Sequence, residues 1–464
     1  MCRGKVRTLQ PEIQIRRRMR HLLLIGVIAL SSATYAQTMT LKQCIETGLE
    51  RNLGVRTVAE DVRTADVTRS ENRSKLLPVI QAFGNFVDNV HRGTSVTDGS
   101  GISKLLGMDV PYMKNQGLQY TVQGGFQAQM PLYDHTIYIG MKIADRMKEL
   151  SQVSLDKARE DLTMQIAQLY YLAQTTREQI VLTEKNIRSL ESLDSITHAL
   201  RDNGVVLAVD VKRVNINLAN LRVARDNALA VYEQQLNLIR FTLDLAPEAP
   251  LELEPLKTRE GRLEHVRYNG VSPMRYELQQ IALQRQITEQ QRKQIKAGYL
   301  PTLSLVGNLS WANFTDRFHH YFHDHESNHW YNTTSWGLQL NVPIFDRFIK
   351  RNAIRKANIG LDKLALAREM TEKQLQTQYL NGLNDWQNNR RTVETQRENY
   401  KLAEEVYSIA ANQYREGVTS MSALLQDEMS MTQSQTAFVN AVYKYLVSEL
   451  TLLKLTGQLG ELTK

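Results

Sequence analysis

Alternation of apolar and polar residues predicts four β-strands. In the C-terminal half, apolar residues or glycine occupy every second position from Leu303 to Trp311, and they do so again from Trp336 to Val342. In the N-terminal half a similar alternation runs from Tyr120 to Met130, with a weaker one from Ile80 to Phe86. A period of two places one set of side chains on each face of a strand. Two-faced strands of about ten residues are typical of transmembrane β-barrels, although a soluble β-sandwich would alternate in the same way.

Two longer segments have a helical pattern instead. Roughly 65 residues run without proline from about Thr136 to Leu200, and again from Ile349 to Tyr414, which is about 100 Å of helix in each case. Apolar or aromatic residues recur every seven positions in both segments, at Ile166, Ala173, Ile180 and Ile187 and at Tyr379, Trp386, Val393 and Tyr400. Such a heptad pattern predicts coiled-coil packing. Each helix is expected to reverse at a glycine, Gly204 or Gly417, and to return as a second helix.

The two halves of the chain repeat one another. Gln127–Asp134 matches Gln339–Asp346 at an offset of 212 positions, and Gly204 matches Gly417 at an offset of 213. Each half is expected to contain a helix, a strand, a loop, a strand and a long helical hairpin. The predicted divisions are a first structural repeat over residues 37–245, a linker over 246–270 and a second structural repeat over 271–464.

The predicted first helix of each half has a start signal. Thr40 and Gln43 form a capping box in the first half. Ser272 followed by Pro273 is expected to open the corresponding helix in the second half.

The N-terminus has the features of a secretory signal peptide over residues 1–36. A cluster of arginines precedes an apolar run from Leu22 to Leu30, and small residues follow up to Ala36. The run is too short to cross a bilayer as a helix, which needs about 20 residues. We therefore expect export and cleavage after Ala36. Met19 is an alternative start, and a buried helix is the alternative interpretation of the segment.

Removal of the signal peptide changes the charge of the chain. The full sequence has 57 basic and 49 acidic residues, and residues 1–36 hold seven of the former and one of the latter, which leaves 50 and 48. This near neutrality gives no indication of nucleic-acid binding. Cys44 becomes the only cysteine, so we expect no intrachain disulfide and no cysteine-based metal site.

The strand count predicts an oligomer. Eight strands are about the minimum for a membrane barrel, and an open sheet edge is not viable in lipid. Copies of the chain are therefore expected to pool their strands in one barrel and their hairpins in one ring around a continuous lumen. Tyr120, Trp311 and Trp336 lie toward the loop ends of their predicted strands, where an aromatic girdle at the membrane interface is expected.

In this order the elements resemble the TolC-like outer-membrane efflux family. The resemblance covers nearly all of residues 38–457. It is carried by Thr40–Ile45 with Asn52, Leu77–Pro78, Leu300–Pro301, Met130–Asp134, Val342–Asp346, Gly204–Val205 and Gly417–Val418. It implies a mainly α fold with a transmembrane β part, in which a homotrimer forms a 12-stranded β-barrel continued by a periplasmic α-helical barrel.

The same resemblance implies partners and a location. It implies a protein of the outer membrane, in contact with outer-membrane lipid, whose helical part extends into the periplasm. A periplasmic adaptor protein and an inner-membrane efflux pump are the implied protein partners. Neither a cofactor nor a nucleic acid is expected.

The resemblance also places functional residues at the hairpin tips. It implies contacts with the adaptor at Gly204, Val205, Val206, Gly417, Val418 and Thr419. The alternative is that the valines pack between the hairpins of one trimer.

A periplasmic gate is implied next to the tips, at Asp210, Tyr414 and Asp427. A tyrosine hydroxyl that donates to a carboxylate would hold two hairpins together reversibly, although Asp210 is equally explained as a first-turn acid favoured by the helix dipole. Six and nine residues after Gly417, where the family often has acids that ring the pore, this chain has Ala423 and Gln426. Asp427 is one residue further on, about 100° around the helix, so the chain departs from the family at the acidic ring.

The sequence offers little evidence of a metal site or an enzymatic site. The loop between the last two strands is rich in histidine, at His319, His320, His323, His325 and His329. Such loops bind zinc or copper in some proteins and are simply polar and variable in most, so no metal site is assigned. The chain contains no glycine-rich phosphate loop, zinc-protease motif or nucleophile elbow.

We therefore expect a channel subunit of a tripartite efflux system rather than an enzyme. A channel for polypeptide secretion is an alternative on the same fold. A cell-envelope coiled-coil scaffold is the alternative from another class, but it would have no use for the predicted barrel strands.

Overall fold

A computed structural model describes residues 37–98, 100–108, 112–256, 270–322 and 329–463. The predicted signal peptide and most of the predicted linker lie outside these ranges. The helices are α1 (Leu41–Arg51), α2 (Leu53–Ser74), α3 (Ser100–Leu106), α4 (His135–Asp202), α5 (Ala208–Thr242), α6 (Tyr276–Ala297), α7 (Ile349–Arg415) and α8 (Met421–Leu455). The strands are β1 (Gln37–Met39), β2 (Val79–Asp88), β3 (Thr94–Asp98), β4 (Tyr112–Gln116), β5 (Tyr120–Tyr133), β6 (Leu251–Leu253), β7 (Thr302–Thr315) and β8 (Trp330–Asn341). Short 3-10 helices follow β7, at Phe318–Phe322, and α8, at Leu459–Thr463.

The chain divides into two compact units, and each draws on both halves of the sequence. One unit comprises Met1–Arg56, Ala158–Arg275 and Gln374–Lys464, and the other comprises Thr57–Lys157 and Tyr276–Lys373. The long helices α4 and α7 each contribute a segment to both units.

The second unit contains a four-stranded antiparallel sheet in the order β2-β5-β7-β8. The strands predicted from alternation are these four. Strands β5 and β7, from different halves of the chain, pair along most of their length, with Tyr120 opposite Thr315 at one end. A register shift between Pro131 and Tyr133 marks the other end of this pairing. The sheet thus joins the two halves, and β2 and β8 form its edges.

The heptad residues of the long helices differ in burial within the other unit, since in α7 Tyr379 is buried while Trp386, Val393 and Tyr400 are half-buried. The four predicted apolar positions of α4, from Ile166 to Ile187, are all buried. The helices α5 and α8 have 35 residues each and return alongside α4 and α7. A buried ion pair, Arg275 to Glu160 at 2.8 Å, also lies in this unit, where burial makes charge pairing necessary.

Two features of the helix starts differ from the predictions. The capping box of Thr40 and Gln43 is present, but the first helix is divided at Asn52. The Asn52 backbone caps the end of α1, and its side chain accepts from the Val55 amide at 3.1 Å, so one residue ends one helix and starts the next. Ser272 does not open α6. Its hydroxyl accepts from the Met274 amide in a turn, and the helix begins at Tyr276.

The loop between β2 and β5 also contains secondary structure that the sequence did not predict. It contains the hairpin β3–β4, with the short helix α3 between its strands. None of the helices in the described ranges is both long enough and apolar enough to cross a bilayer.

Candidate gate and docking site at the hairpin tips

Both hairpins turn through the same backbone conformation. Gly204 has φ 73° and Gly417 has φ 72°, in the left-handed region that side chains disfavour. After each glycine the next amide reaches back five residues into the helix, from Val205 to the Leu200 carbonyl at 2.9 Å and from Val418 to the Gln413 carbonyl at 2.8 Å. This is the helix ending known as the Schellman motif. The matched glycines of the two halves therefore build matched turns.

The tip side chains divide into exposed and packed ones. Val205 and Val418 are 58% and 71% exposed, and Leu207, which the sequence analysis did not single out, is equally open. Val206 instead packs against a buried cluster behind the tips, and Thr419 is half-buried. We call the buried cluster behind the tips the tip cluster. Its fully buried members are Ile187, Leu190, Leu193, Val214, Leu218, Leu221, Ala410, Tyr414, Met421 and Leu424.

Tyr414 lies within the tip cluster, with only 3% of its surface exposed. Burial raises the pKa of Tyr414, the neighbouring Thr197 hydroxyl lowers it in part, and the negative charge of Asp210 raises it further. The structure thus brings Tyr414 and Asp210 near each other. The Tyr414 hydroxyl makes no hydrogen bond of good geometry to any described residue, however. The predicted bond to Asp210 is therefore not formed within one protomer.

Asp210 forms an ion pair with Arg213 instead of a hydrogen bond with Tyr414. Its carboxylate, in the first turn of α5, accepts from the Arg213 guanidinium at 3.1 Å. The same guanidinium nitrogen donates to the Ser422 hydroxyl on α8 at 3.0 Å. Arg213 therefore connects the first hairpin to the second. Sequence reasoning missed both Arg213 and Ser422, although the spacing of three residues between Asp210 and Arg213 is that of an ion pair on one helix face.

The third predicted gate residue, Asp427, is half-buried on α8. The residue after it, Glu428, is buried. Glu428 is 2% exposed, and its carboxylate accepts from the Asn217 amide at 2.8 Å and from the Thr432 hydroxyl at 3.1 Å. Thr432 also accepts from Asn186, which donates to Gln435 at 2.7 Å. These side chains form a polar layer across α4, α5 and α8, beside an open groove of about 520 Å³.

A sequence signal for this layer existed. Met421, Glu428, Gln435 and Val442 are spaced seven apart on α8 and are all buried. A glutamate and a glutamine in an otherwise apolar heptad position indicate a buried polar layer. Asp427, which does not match the family spacing, is thus followed by a buried acid, Glu428.

The three residues predicted for an aromatic girdle lie at different distances from the loop end of the sheet. Tyr120 lies at that end of β5 and stacks with Phe86 at 6.1 Å between ring centroids. The Phe318 ring packs edge-on against Tyr120 at 5.7 Å. Trp311 lies within β7, opposite Asn332. The prediction for Trp336 needs correction, because this residue lies opposite Gly307 near the middle of β8 rather than toward the loop end.

Other aromatic residues occupy the loop end of β7 and β8. Phe314 and Tyr331 pack at 6.3 Å between ring centroids, next to Trp330. They were missed because polar residues, at Asn313 and from Asn332 to Ser335, interrupt the alternation before the strands end.

Residues 323–328 of the histidine-rich loop, with His323 and His325, lie outside the described residues. Within the described ranges, histidine, cysteine and acidic residues form no group of three or more that could hold a metal ion.

Comparison with known proteins agrees with this architecture. Residues 274–458 match the family model described as outer membrane efflux protein. The chain is 21% identical to the toluene efflux pump outer membrane protein TtgC of Pseudomonas putida, over 90% of this chain and 82% of that protein. It is 20% identical to the outer membrane protein TolC of Escherichia coli, over 95% of this chain and 86% of that protein.

Solved structures share the fold. The Campylobacter jejuni CmeC outer membrane channel matches with a TM-score of 0.70 and 15% identity, over 90% of this chain and 85% of that one. The open state of the Neisseria gonorrhoeae MtrE outer membrane channel matches with a TM-score of 0.66 and 16% identity, over 91% and 90%. The sheet with its duplicated long hairpins therefore has the fold of these outer-membrane channels. Residues 274–458 thus match the outer membrane efflux protein family, and nearly the whole chain is similar to TolC-like outer-membrane proteins.

Proposed function

We propose that the chain is the outer-membrane channel subunit of a tripartite efflux system. In this role it passively conducts substrates that an inner-membrane pump and a periplasmic adaptor protein deliver. The observation that carries the proposal is the open four-stranded sheet, whose edges β2 and β8 belong to opposite halves of the chain. Three copies that pair β8 of one with β2 of the next would close a barrel of 12 strands, above the minimum of about eight.

Oligomeric state and conductance test this channel. Protein extracted in detergent is expected to have about three times the protomer mass by light scattering, and to form discrete pores in planar bilayers. The coiled-coil scaffold alternative predicts no conductance, and a stable water-soluble monomer would rule out the barrel.

The substrate test uses a host that lacks its own outer-membrane channel of this family. Expression together with the cognate adaptor and pump is expected to lower the accumulation of a fluorescent dye in the cells. Export of a polypeptide without any effect on small molecules would support the secretion alternative, which the similarity to the toluene efflux pump protein TtgC does not favour.

The docking surface that we propose for the adaptor is the pair of tips. Val205 and Val418 are exposed at turns of identical backbone geometry, and grouped exposed apolar side chains are typical of interaction sites. Glycine at each turn lets another helix backbone approach closely.

Cysteines at Val205 and Val418 are therefore expected to crosslink to the adaptor in cells. Val205→Asp or Val418→Asp should reduce efflux while the trimer persists. The matched control is Asn203→Asp, which adds the same charge at an exposed tip position without removing an apolar group. If the Asp variants abolish the trimer instead, the tips serve assembly.

A further inference from the structure

The segment between β8 and α7 presents aromatic and apolar side chains on its surface. We call residues 343–356, which extend into the start of α7, the second junction. Ile344 and Phe345 are 94% and 71% exposed, and Phe348 is more than half exposed. The rings of Phe345 and Phe348 pack edge to face at 5.5 Å between centroids. Grouped exposed side chains of this size indicate a surface that another molecule covers.

The backbone of the second junction holds these side chains in a disfavoured conformation. Arg347 has φ 58° and Phe348 has φ 64°, a region in which a bulky side chain is an outlier. Asp346 stabilises the turn, because its carboxylate accepts from the Lys350 amide at 2.9 Å. Strain of this kind persists where the surrounding structure enforces it, and it is common at ligand sites. In the second junction, the residue with this strained backbone, Phe348, is exposed.

Basic side chains surround the exposed rings. Residues 343–356 contain five basic side chains and a single acid, Asp346. The Lys350 ammonium lies over the Tyr299 ring at 5.1 Å, and the Arg351 guanidinium lies over the Phe348 ring at 5.9 Å. Together with Arg355 they line an open groove of about 400 Å³ that also includes Phe345 and Phe348. The groove therefore combines an apolar wall with a positively charged one.

The first half of the chain provides an internal comparison. Its matching segment, residues 131–144, includes the end of β5 and the start of α4 and also exposes apolar residues such as Leu132 and Tyr133. It contains one lysine, Lys142, and one aspartate, and its helix begins directly at His135. The connection of a strand to a long helix thus requires neither the basic cluster nor the left-handed backbone of the second junction.

We propose that the second junction binds the headgroup of an anionic glycerophospholipid in the leaflet of the outer membrane that faces the periplasm. The proposal rests on the proposed function, in which the sheet lies in that membrane and the helices lie on its periplasmic side. Lys350, Arg351 and Arg355 contact the phosphate, and Phe345 and Phe348 lie among the upper acyl chains. Aromatic side chains prefer the membrane interface, and basic side chains next to it attract anionic lipids. The guanidinium fork also matches phosphate geometry.

Lipid selectivity of the purified full-length oligomer tests the proposal. In an uncharged detergent, spin-labelled phosphatidylglycerol is expected to associate at least about fivefold more strongly than spin-labelled phosphatidylcholine at low salt, and the preference should weaken as salt rises. The variant Lys350→Gln/Arg351→Gln/Arg355→Gln should lose the preference. Arg355→Gln alone, at an exposed position, should reduce it about twofold and serves if the triple variant fails to assemble.

Two controls separate charge from general structure. The charge-retaining variant Lys350→Arg/Arg351→Lys/Arg355→Lys and the first-half variant Lys142→Gln should both keep the preference. An equal preference in wild type and the glutamine variants would overturn the proposal. Loss of the wild-type preference in millimolar inorganic phosphate would also overturn it, since the site would then recognise a free anion. A wild-type protein that restores efflux but shows no lipid preference refutes this proposal alone, whereas failure to restore efflux refutes the proposed function.

Discussion

Arg213 donates to the Ser422 hydroxyl at 3.0 Å and so connects the tip of the first hairpin to that of the second. The guanidinium also pairs with Asp210 on its own helix. A gate that opens by separating the hairpins must break this contact, and the residues concerned are exposed enough for the contact to be reversible.

Arg213→Ala is therefore expected to raise single-channel conductance in planar bilayers. The free energy of unfolding should change by less than about 1 kcal/mol, because the ion pair is partly exposed to solvent. The matched control is Arg222→Ala, which removes an exposed pair to Glu191 at 2.7 Å within the first hairpin. If the two variants conduct alike, the contact between Arg213 and Ser422 does not restrict the channel.

Tyr414→Phe combined with Asp210→Ala tests the predicted gate. The Tyr414 hydroxyl makes no hydrogen bond of good geometry within the described protomer, so its removal should change the protomer's stability by less than about 1 kcal/mol. A rise in conductance would then report on a bond formed only in the assembled closed channel. Unchanged conductance would leave Asp210 with the role of a first-turn acid that interacts with the helix dipole.

The heptad and alternation patterns predicted the four strands of the sheet and the long helical hairpins, but they could not predict how the hairpins are aligned with each other. Ile166 and Ile187 are buried as their spacing indicated. The contact between Arg213 and Ser422 joins residues 209 positions apart. It depends on the longitudinal register of two hairpins, on which a pattern within one helix gives no information. Trp336 was misplaced for a similar reason, since alternation identifies a strand better than it identifies its ends.

Substitution of two glycines by alanine should have opposite effects on stability. Gly417→Ala places a side chain at φ 72° and should destabilise the fold by about 1 kcal/mol. Gly360→Ala lies inside α7, where an added methyl group would meet Thr288 at an ordinary 3.7 Å, and should stabilise by about 0.5–1 kcal/mol. Chemical denaturation of both variants measures the difference. The same sign for both would contradict the assignment of the Gly417 turn.

Glu428 and Asp427 are neighbours with different expected costs. Glu428→Ala leaves the Asn217 amide and the Thr432 hydroxyl without their acceptor in a buried layer, which should cost about 1–3 kcal/mol of stability. Glu428→Gln retains an acceptor oxygen and should cost less. Asp427→Ala, at a half-buried position, should stay within about 0.5 kcal/mol. Equal costs for the two alanine variants would contradict a structural role for the polar layer.

Glu449 on α8 should make stability depend on pH. Burial raises the pKa of this carboxyl from 4.5 to about 7, and a hydrogen bond with Tyr445 lowers it in part. Folded protein therefore retains a proton that the unfolded chain releases near pH 4.5, so the stability from this group is complete below that pH and is lost as pH rises through about 7. The loss should reach about 3 kcal/mol. Thermal unfolding followed by helical circular dichroism should show a midpoint that falls across this window, and Glu449→Gln should flatten the fall. Exposed Glu461→Gln is the control, and an unchanged slope in Glu449→Gln would assign the pH dependence to other groups.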